Sequence, residues 1–410
     1  MTGAEATAAP ALATIAPLLD PERGVLLGWD SPHSLVGPGS GRWPVVEGIP
    51  WLRVGRDRLR SATLDALDSG DARGALVGLL ADQDDHARTP SPPDRSTLGR
   101  LIDSVDAGRA SLRDAMAALG YGPVADYFAH RWSTPTYLSG LALLERHWLS
   151  GASVVEVACG IGAFLRDLSL RGVPALGIDV VFSKLWLARR YVVPPAVSLA
   201  CADVSAGWPL GPPPSSTPIL GLCHDAFYFL PDKARLVHNL RNLVGDTGRI
   251  LIGHAHNSRF DHRGISGEPM TPEEYADLLP GARLFNDAEL ALEAWSDVPA
   301  VPRGLAELAG VEAVAIAWNA REDIAGLATP GPGLSRLRPG ARLRPNPMLE
   351  DGPGGLRPCW PSPRFEAEYA AGSTYLVDES IPGVEPSADG EARVDRLVRR
   401  RVLLDLPERW

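Results

Sequence analysis

Between residues 154 and 254 the chain alternates five short apolar runs with segments of helical spacing, joined by short turns. The runs cover 154–158, 174–180, 197–202, 219–224 and 249–254, and the helical patterns cover 164–171, 183–191 and 232–243. Apolar runs of this length, alternating with helices, read as buried parallel strands. Connections between parallel strands are right-handed and lay their helices on the faces of one sheet. The pattern leaves one fold class: α/β, a doubly wound and mostly parallel sheet.

The polar chemistry sits where the runs stop. The first run leads through Glu156-Val-Ala158-Cys159-Gly160-Ile-Gly162 into a helical pattern at Phe164. Gly160 and Gly162 carry no Cβ, so backbone there can approach a ligand closely, beside a helix N-terminus. The second run ends at Asp179, 17 residues after Gly162, where a carboxylate can accept both hydroxyls of a ribose. The third ends Cys201-Ala-Asp203-Val204. There an aspartate can accept an adenine amino proton while the next backbone N–H serves a ring nitrogen. The fourth ends Cys223-His224-Asp225. Successive parallel strands bring these ends to one edge, where open α/β sheets receive ligands. A single acid of this kind is more often a cap or a surface residue. Three together, one per strand end, make a site.

On these residues the segment 137–257 resembles the class I S-adenosylmethionine-dependent methyltransferases. Their first motif, an acid followed by Gly-x-Gly-x-Gly, appears here with Ala158 in place of its first glycine. The resemblance implies a Rossmann-like seven-stranded sheet and S-adenosylmethionine as cofactor. It places Gly160 and Gly162 against the methionine end and Asp179 at the ribose, with Glu156, Ala158 and Cys159 also at the cofactor. Asp203 and Val204 fall at the adenine, and Cys223 to Asp225 fall at the family's fourth motif. A dinucleotide cofactor fits less well, because its Gly-x-Gly-x-x-Gly turn would need glycine where Leu165 stands.

Methyl transfer draws its reactivity from the cofactor, so the protein's task is alignment and, for a hydroxyl acceptor, proton removal. Candidate catalytic residues are His224 and Asp225 after the fourth run and His254 and His256 after the fifth, with Asn257 and His262 beyond. One of His224, His254 and His256 is expected as general base, because neutral imidazole accepts a proton near pH 7. His254-x-His256 with Asp225 fits a metal only if the strand continues through both histidines, and spacing secures no third ligand. No metal is expected.

The acceptor is expected to be a small molecule, methylated at oxygen. A formal charge of −10 argues against the basic footprint of a nucleic-acid protein, although an RNA methyltransferase stays open as an alternative. A non-catalytic scaffold that binds the cofactor is the third reading. No apolar run approaches the ~20 residues of a membrane helix. The first 19 residues lack the basic start of a signal peptide, so a soluble cytoplasmic protein is expected. The four cysteines, widely spaced and without a C-x-x-C pair, read as reduced, buried thiols.

Around the core, residues 1–20 read as a flexible arm and 21–60 as a small β unit. Its Arg42-Trp-Pro-Val-Val-Glu-Gly-Ile-Pro-Trp-Leu stretch resembles the signature of small zinc-ribbon domains of the methyltransferase-activator type. The cysteine pairs of that family are missing, so a metal-free relict is implied. Residues 61–135 read as helical with a linker at 89–94, 136–320 as the methyltransferase core, and 321–410 as a C-terminal extension. In the extension a Pro/Gly-dense segment, 329–363, is expected to wrap the core. Trp360, Phe365 and Tyr369 would either wall the acceptor pocket or only cover the sheet, and helices would cover 364–371 and 391–404. The run Arg399-Arg400-Arg401 reads as a solvated helix end. The aromatic lead-in Tyr127, Phe128, Arg131, Trp132 either caps the cofactor or packs.

Overall fold

The computed structural model describes residues 15–82, 92–214, 217–262, 267–296, 298–319, 329–352, 355–376 and 390–410. Four short antiparallel strands come first, β1 (Gly28–Ser31), β2 (Ser34–Val36), β3 (Trp43–Val46) and β4 (Ile49–Pro50). Glu47 and Gly48, both at positive φ (56° and 70°), make the tight turn between β3 and β4, the twist that suits a two-residue hairpin. Helices follow: α1 (Asp57–Asp68), α2 (Ala72–Leu80), α3 (Arg95–Asp106), α4 (Leu112–Ala118), α5 (Val124–Ala129) and α6 (Pro135–Arg146).

The core then runs β5 (Ser153–Val157), α7 (Ala163–Ser169), β6 (Ala175–Asp179), α8 (Phe182–Leu187), β7 (Ser198–Cys201) and β8 (Ile219–His224). It continues through α9 (Lys233–Val244), β9 (Arg249–His256), α10 (Pro272–Leu278), β10 (Arg283–Asn286), α11 (Asp287–Trp295) and β11 (Ala313–Asn319). Its seven strands lie in the order β10-β11-β9-β8-β5-β6-β7. All neighbours are parallel except at β11, which runs antiparallel to both β9 and β10. This is the doubly wound, mostly parallel seven-stranded sheet that the alternation implies.

Period-2 alternation sends Val154, Leu220 and Leu251 to one face, packed with Phe164, Leu165, Phe182 and the α6 leucines. Val155, Val157, Ile178 and Ile252 go to the other face, against Leu236, Val237 and Leu240 of α9. Every residue of β5, β6, β7, β8 and β9 is buried, as a sheet covered on both faces requires.

The N-terminal strands close an edge. Past β4, Trp51 pairs in parallel with Cys201 of β7, and the Leu52 N–H donates to the Cys201 carbonyl at 2.7 Å. Of the expected flexible arm, residues 1–14 lie outside the described residues. The rest is packed: Ile15, Ala16 and Leu18 are buried, and Leu18 bridges to Leu210. Apolar side chains at these positions gain more by covering the core than a free arm would retain.

The extension departs from expectation in two places. The last helix stops at Arg399, and Leu403–Asp405 forms a strand with Leu343–Pro345. Arg401 is buried at 5% exposure with its guanidinium over the Tyr137 ring, and Arg399 donates to the Ser296 carbonyl. These arginines are tied into the fold rather than solvated. Segment 329–352 does wrap the core, with Arg171 donating to the carbonyls of Gly333, Leu334 and Arg336. Cys159, Cys201 and Cys223 are buried free thiols, but Cys359 is exposed. The linker expected at 89–94 lies partly outside the described residues, at 89–91. Among the described residues no helix is long and apolar enough to cross a membrane.

Candidate active site

The turn after β5 is built from left-handed backbone: φ is 57° at Ala158, 57° at Gly160 and 77° at Gly162. Gly162 is also the N-cap of α7. Asp179, at the end of β6, braces this turn. One of its carboxylate oxygens accepts the Gly160 N–H at 2.9 Å and the other the Val181 N–H at 2.9 Å, with the Lys184 ammonium 3.6 Å away. Each oxygen keeps a lone pair for a further donor. Asp203 lies one strand over and is half-buried. Its Oδ1 accepts the Ser205 N–H at 2.9 Å, and Val204 beside it is buried.

Glu156, within β5, is buried at 3% exposure, and its Oε2 has no hydrogen-bond partner. Burial pushes its carboxyl up to about 8, with Arg131 pulling the other way. At neutral pH Glu156 is therefore protonated and can donate as well as accept. Cys159 and Cys223 lie alongside, both thiols pushed up by burial, which keeps them protonated and unreactive.

An orphaned buried carboxyl beside a glycine turn and two strand-end acids fits a nucleoside cofactor with a polar tail. The open face of the turn is covered by α5. A Cβ on Gly160 would come within 3.0 Å of the Phe128 ring. On either side of Phe128, Tyr121 shares a hydrogen bond with the Ser183 hydroxyl at 2.9 Å, and Tyr127 donates to Asp225 at 2.9 Å. The lead-in thus lies directly over the turn.

The acceptor side is a buried polar cluster at the ends of β8 and β9. Asp225 Oδ2 accepts from Tyr127 and from the Arg131 guanidinium at 3.0 Å, while Oδ1 accepts from Tyr228 at 3.0 Å. Burial opposes the charge on Asp225, but Arg131 and the neighbouring histidines hold it at about 2. His254 Nδ1 meets Asp287 Oδ2 at 2.7 Å, and its backbone N–H donates to Asp287 Oδ1 at 3.1 Å. Burial disfavours its charge, yet Asp287 raises His254 to about 9. His256 is stacked between Tyr228 (ring centroids 3.9 Å apart) and His262 (4.3 Å). Burial and His254 lower it to about 3.

Two members of this cluster have left-handed backbone, Asp225 at φ 55° and His254 at 48°. Such residues cost about 1–3 kcal/mol each and concentrate at ligand sites. The structure brings Asp225, His254 and His256 together: one ligand atom from each lies within 4.8 Å of the others.

His224 stands apart. Its Nε2 meets the Thr136 carbonyl at 2.6 Å, and its ring packs on Phe164 between Gly140 and Gly253. Burial, then Arg131, lowers it to about 4. Asn257 donates to the carbonyls of Leu308, Ala309 and Val311 and so ties two loops together. Of the extension's aromatics, Phe365 and Tyr369 are buried, and burial, with the nearby Asp225 carboxylate adding to it, raises the Tyr369 phenol. Asp287 escapes a reading by spacing, because an acid opening a helix looks like an ordinary cap.

No family model and no curated protein matches this chain. Among solved structures it is similar to phosphoethanolamine N-methyltransferase 2 of Haemonchus contortus, in complex with phosphomonomethylethanolamine and S-adenosylhomocysteine. That match has 18% identity over 45% of this chain and 49% of that one, with a TM-score of 0.33. It is also similar to an S-adenosylmethionine-dependent methyltransferase of Mesorhizobium loti (17% identity, 45% of this chain and 96% of that one, TM-score 0.34). A TehB-like S-adenosylmethionine-dependent methyltransferase of Corynebacterium glutamicum matches at 17% identity, over 45% of this chain and 88% of that one, with a TM-score of 0.31. The chain spans about half the length of the Haemonchus enzyme it matches.

Proposed function

We propose that this chain is an S-adenosylmethionine-dependent methyltransferase that methylates an oxygen of a small-molecule acceptor. One observation carries the reading. Three neighbouring strands, β5, β6 and β7, deliver Glu156, Asp179 and Asp203 to one edge of the sheet, around a turn held in left-handed backbone. In this reading Glu156, Ala158, Cys159, Gly160 and Gly162 hold the amino-acid end, Asp179 the ribose, and Asp203 with Val204 the adenine. Cys223 lines the same edge.

Bound there, S-adenosylmethionine supplies an electrophilic methyl group on a sulfonium. The chain's own contribution is geometry and proton handling. Alignment of acceptor and methyl group is worth up to about 7–11 kcal/mol. The aromatic rings of α5 exclude water from the turn. Proton handling falls to the cluster of Asp225, His254 and His256, since His224 is committed to the Thr136 carbonyl. Within the cluster Asp287 orients the His254 ring through its contact with Nδ1.

Calorimetry of the full chain with S-adenosylmethionine and S-adenosylhomocysteine tests the reading. One saturable site for each is expected, weakened in Asp179→Ala. Failure of both to bind overturns it. Binding of both without methyl transfer from labelled cofactor into any acceptor of a cell extract would leave a scaffold rather than an enzyme.

A further inference from the structure

We propose that Asp225, His254 and His256 form a mononuclear site for a divalent first-row transition ion such as Zn2+ or Fe2+. The metal-ligand reading of His254-x-His256 depends on a strand that reaches both histidines and on a third ligand. The structure supplies both. β9 runs through His256, and the pairing of His224 with Gly253 places Asp225, one residue past β8, beside His254. Each of the three residues offers one ligand atom, all within 4.8 Å of one another.

Each ligand is prepared in a different way. His256 is 3% exposed, and its Nδ1 is buried without a hydrogen-bond partner. A buried, unpaired imidazole nitrogen is costly unless something takes its lone pair. His254 is fixed by Asp287 at Nδ1, which leaves Nε2 as donor. A carboxylate behind a ligating histidine is the usual outer support of a metal site. On Asp225, Oδ2 already accepts two hydrogen bonds, from Tyr127 and Arg131, and Oδ1 only one, from Tyr228. Oδ1 therefore keeps a lone pair, with its orientation fixed from both sides. The backbone is left-handed at both Asp225 and His254, which aims two adjacent strand ends at one point.

The donor set chooses the ion. Two imidazoles and one carboxylate suit Zn2+, Fe2+, Co2+ or Ni2+, whereas Mg2+ and Ca2+ prefer all-oxygen ligands. Bonds of ~2.0–2.2 Å are shorter than half of 4.8 Å, so the three ligand atoms draw together as the ion binds. Three protein ligands leave open positions for a substrate.

Charge points to the kind of substrate. Asp225 and Asp287 carry two negative charges and Arg131 one positive. Ligation displaces the ring proton of a protonated histidine, and with both imidazoles then neutral a divalent ion brings the cluster to a single positive charge, which an ionised hydroxyl neutralises. The ligand class is thus an acceptor hydroxyl bound as its oxyanion, and this last step rests on the methyltransferase reading. The cluster handles the proton through the ion it holds: the coordinated hydroxyl is acidified and loses its proton to solvent, and its oxygen bonds to the methyl carbon. The carbon–sulfur bond breaks with its electron pair going to sulfur, giving a methyl ether and a neutral thioether.

The test uses full-length protein freed of metal by a chelator and titrated with Zn2+ by calorimetry, and with Co2+ by visible absorption. One tight equivalent is expected. Affinity should fall by more than about 100-fold in His256→Ala and His254→Ala, and by about 10–100-fold in Asp287→Asn. Cys359→Ser and His33→Ala, both outside the cluster, should bind as the parent does. No binding of either ion overturns the site, as does affinity kept in both histidine variants or lost in Cys359→Ser. If the histidine variants fail to fold, X-ray absorption of the Zn2+-loaded parent decides instead. Two imidazole ligands support the site; sulfur or no imidazole overturns it. Calorimetry with S-adenosylmethionine on the metal-free protein separates the two proposals. Cofactor binding without metal binding sinks only the ion site; the converse sinks the methyltransferase and the acceptor step that rests on it, and leaves the ion site standing.

Discussion

Phe128 lies edge-on against Gly160, so close that a Cβ on the glycine would stand 3.0 Å from the ring. The contact joins α5 to the turn after β5, and α5 is held there by Tyr121–Ser183 and Tyr127–Asp225 hydrogen bonds. A ligand that approaches the Gly160 backbone must share that face with Phe128. Phe128→Ala is therefore expected to bind S-adenosylmethionine several-fold more tightly than the parent, in calorimetry. It should also lose about 3–5 kcal/mol of stability in denaturant unfolding. Weaker cofactor binding in the variant would mean that Phe128 clamps the ligand rather than competing with it.

Glu156 makes stability depend on pH in a direction that can be worked out. Burial raises its folded pKa to about 8 from an ordinary 4.5. Folding thus favours the protonated form. The stability tied to that proton is fully present below about 4.5 and is lost as pH rises through about 8. Glu156→Gln keeps the shape and removes the titration. Unfolding free energies measured from pH 5 to 9 should decline less steeply in the variant, and equal slopes would sink this account.

The sheet and its turn were legible because alternation, strand-end acids and paired glycines are local signals. The contacts that complete the site are not local. Phe128 reaches Gly160 only after α5 folds back over β5. Asp287 opens α11, so a helix cap explains it fully until His254 is seen beside it. Aspartate and histidine enter the left-handed region more readily than most side chains but still rarely, so nothing local marks Asp225 and His254 as held there. Arg401 sits in what looks like a charge run, but its burial comes from Tyr137 and from Asn346, whose side chain donates to the Arg401 carbonyl at 2.7 Å. The clustering of the two histidines with Asp225 needed only that β9 run two residues past 254.

The N-terminal strands have a measurable task at the sheet edge. β7 ends the seven-stranded order, and an open edge recruits other chains. Trp51, fully buried, pairs with Cys201 and closes it. Trp51→Ala should cost about 3–5 kcal/mol in unfolding. It should also make light scattering rise with protein concentration, because the edge is exposed. A variant that is destabilised but stays monomeric would show that this segment packs without guarding the edge.

Arg131 and Asp225 form a buried ion pair at 3.0 Å, with side-chain exposures of 6% and 7%. Removing one partner of such a pair strands the other charge and costs about 3–5 kcal/mol. Replacing both groups by neutral ones of similar size costs much less. Arg131→Met should therefore be strongly destabilised, with Asp225 titrating well above its present value of about 2, since Arg131 is the main group opposing the effect of its burial. Asp225→Asn strands the guanidinium and should suffer comparably. The double variant Arg131→Met/Asp225→Asn is expected to recover part of the lost stability. Denaturant unfolding of the four proteins gives the coupling between the two sites directly. Additive losses in the double variant would mean that Tyr127 and Tyr228, rather than Arg131, hold the Asp225 carboxylate in place.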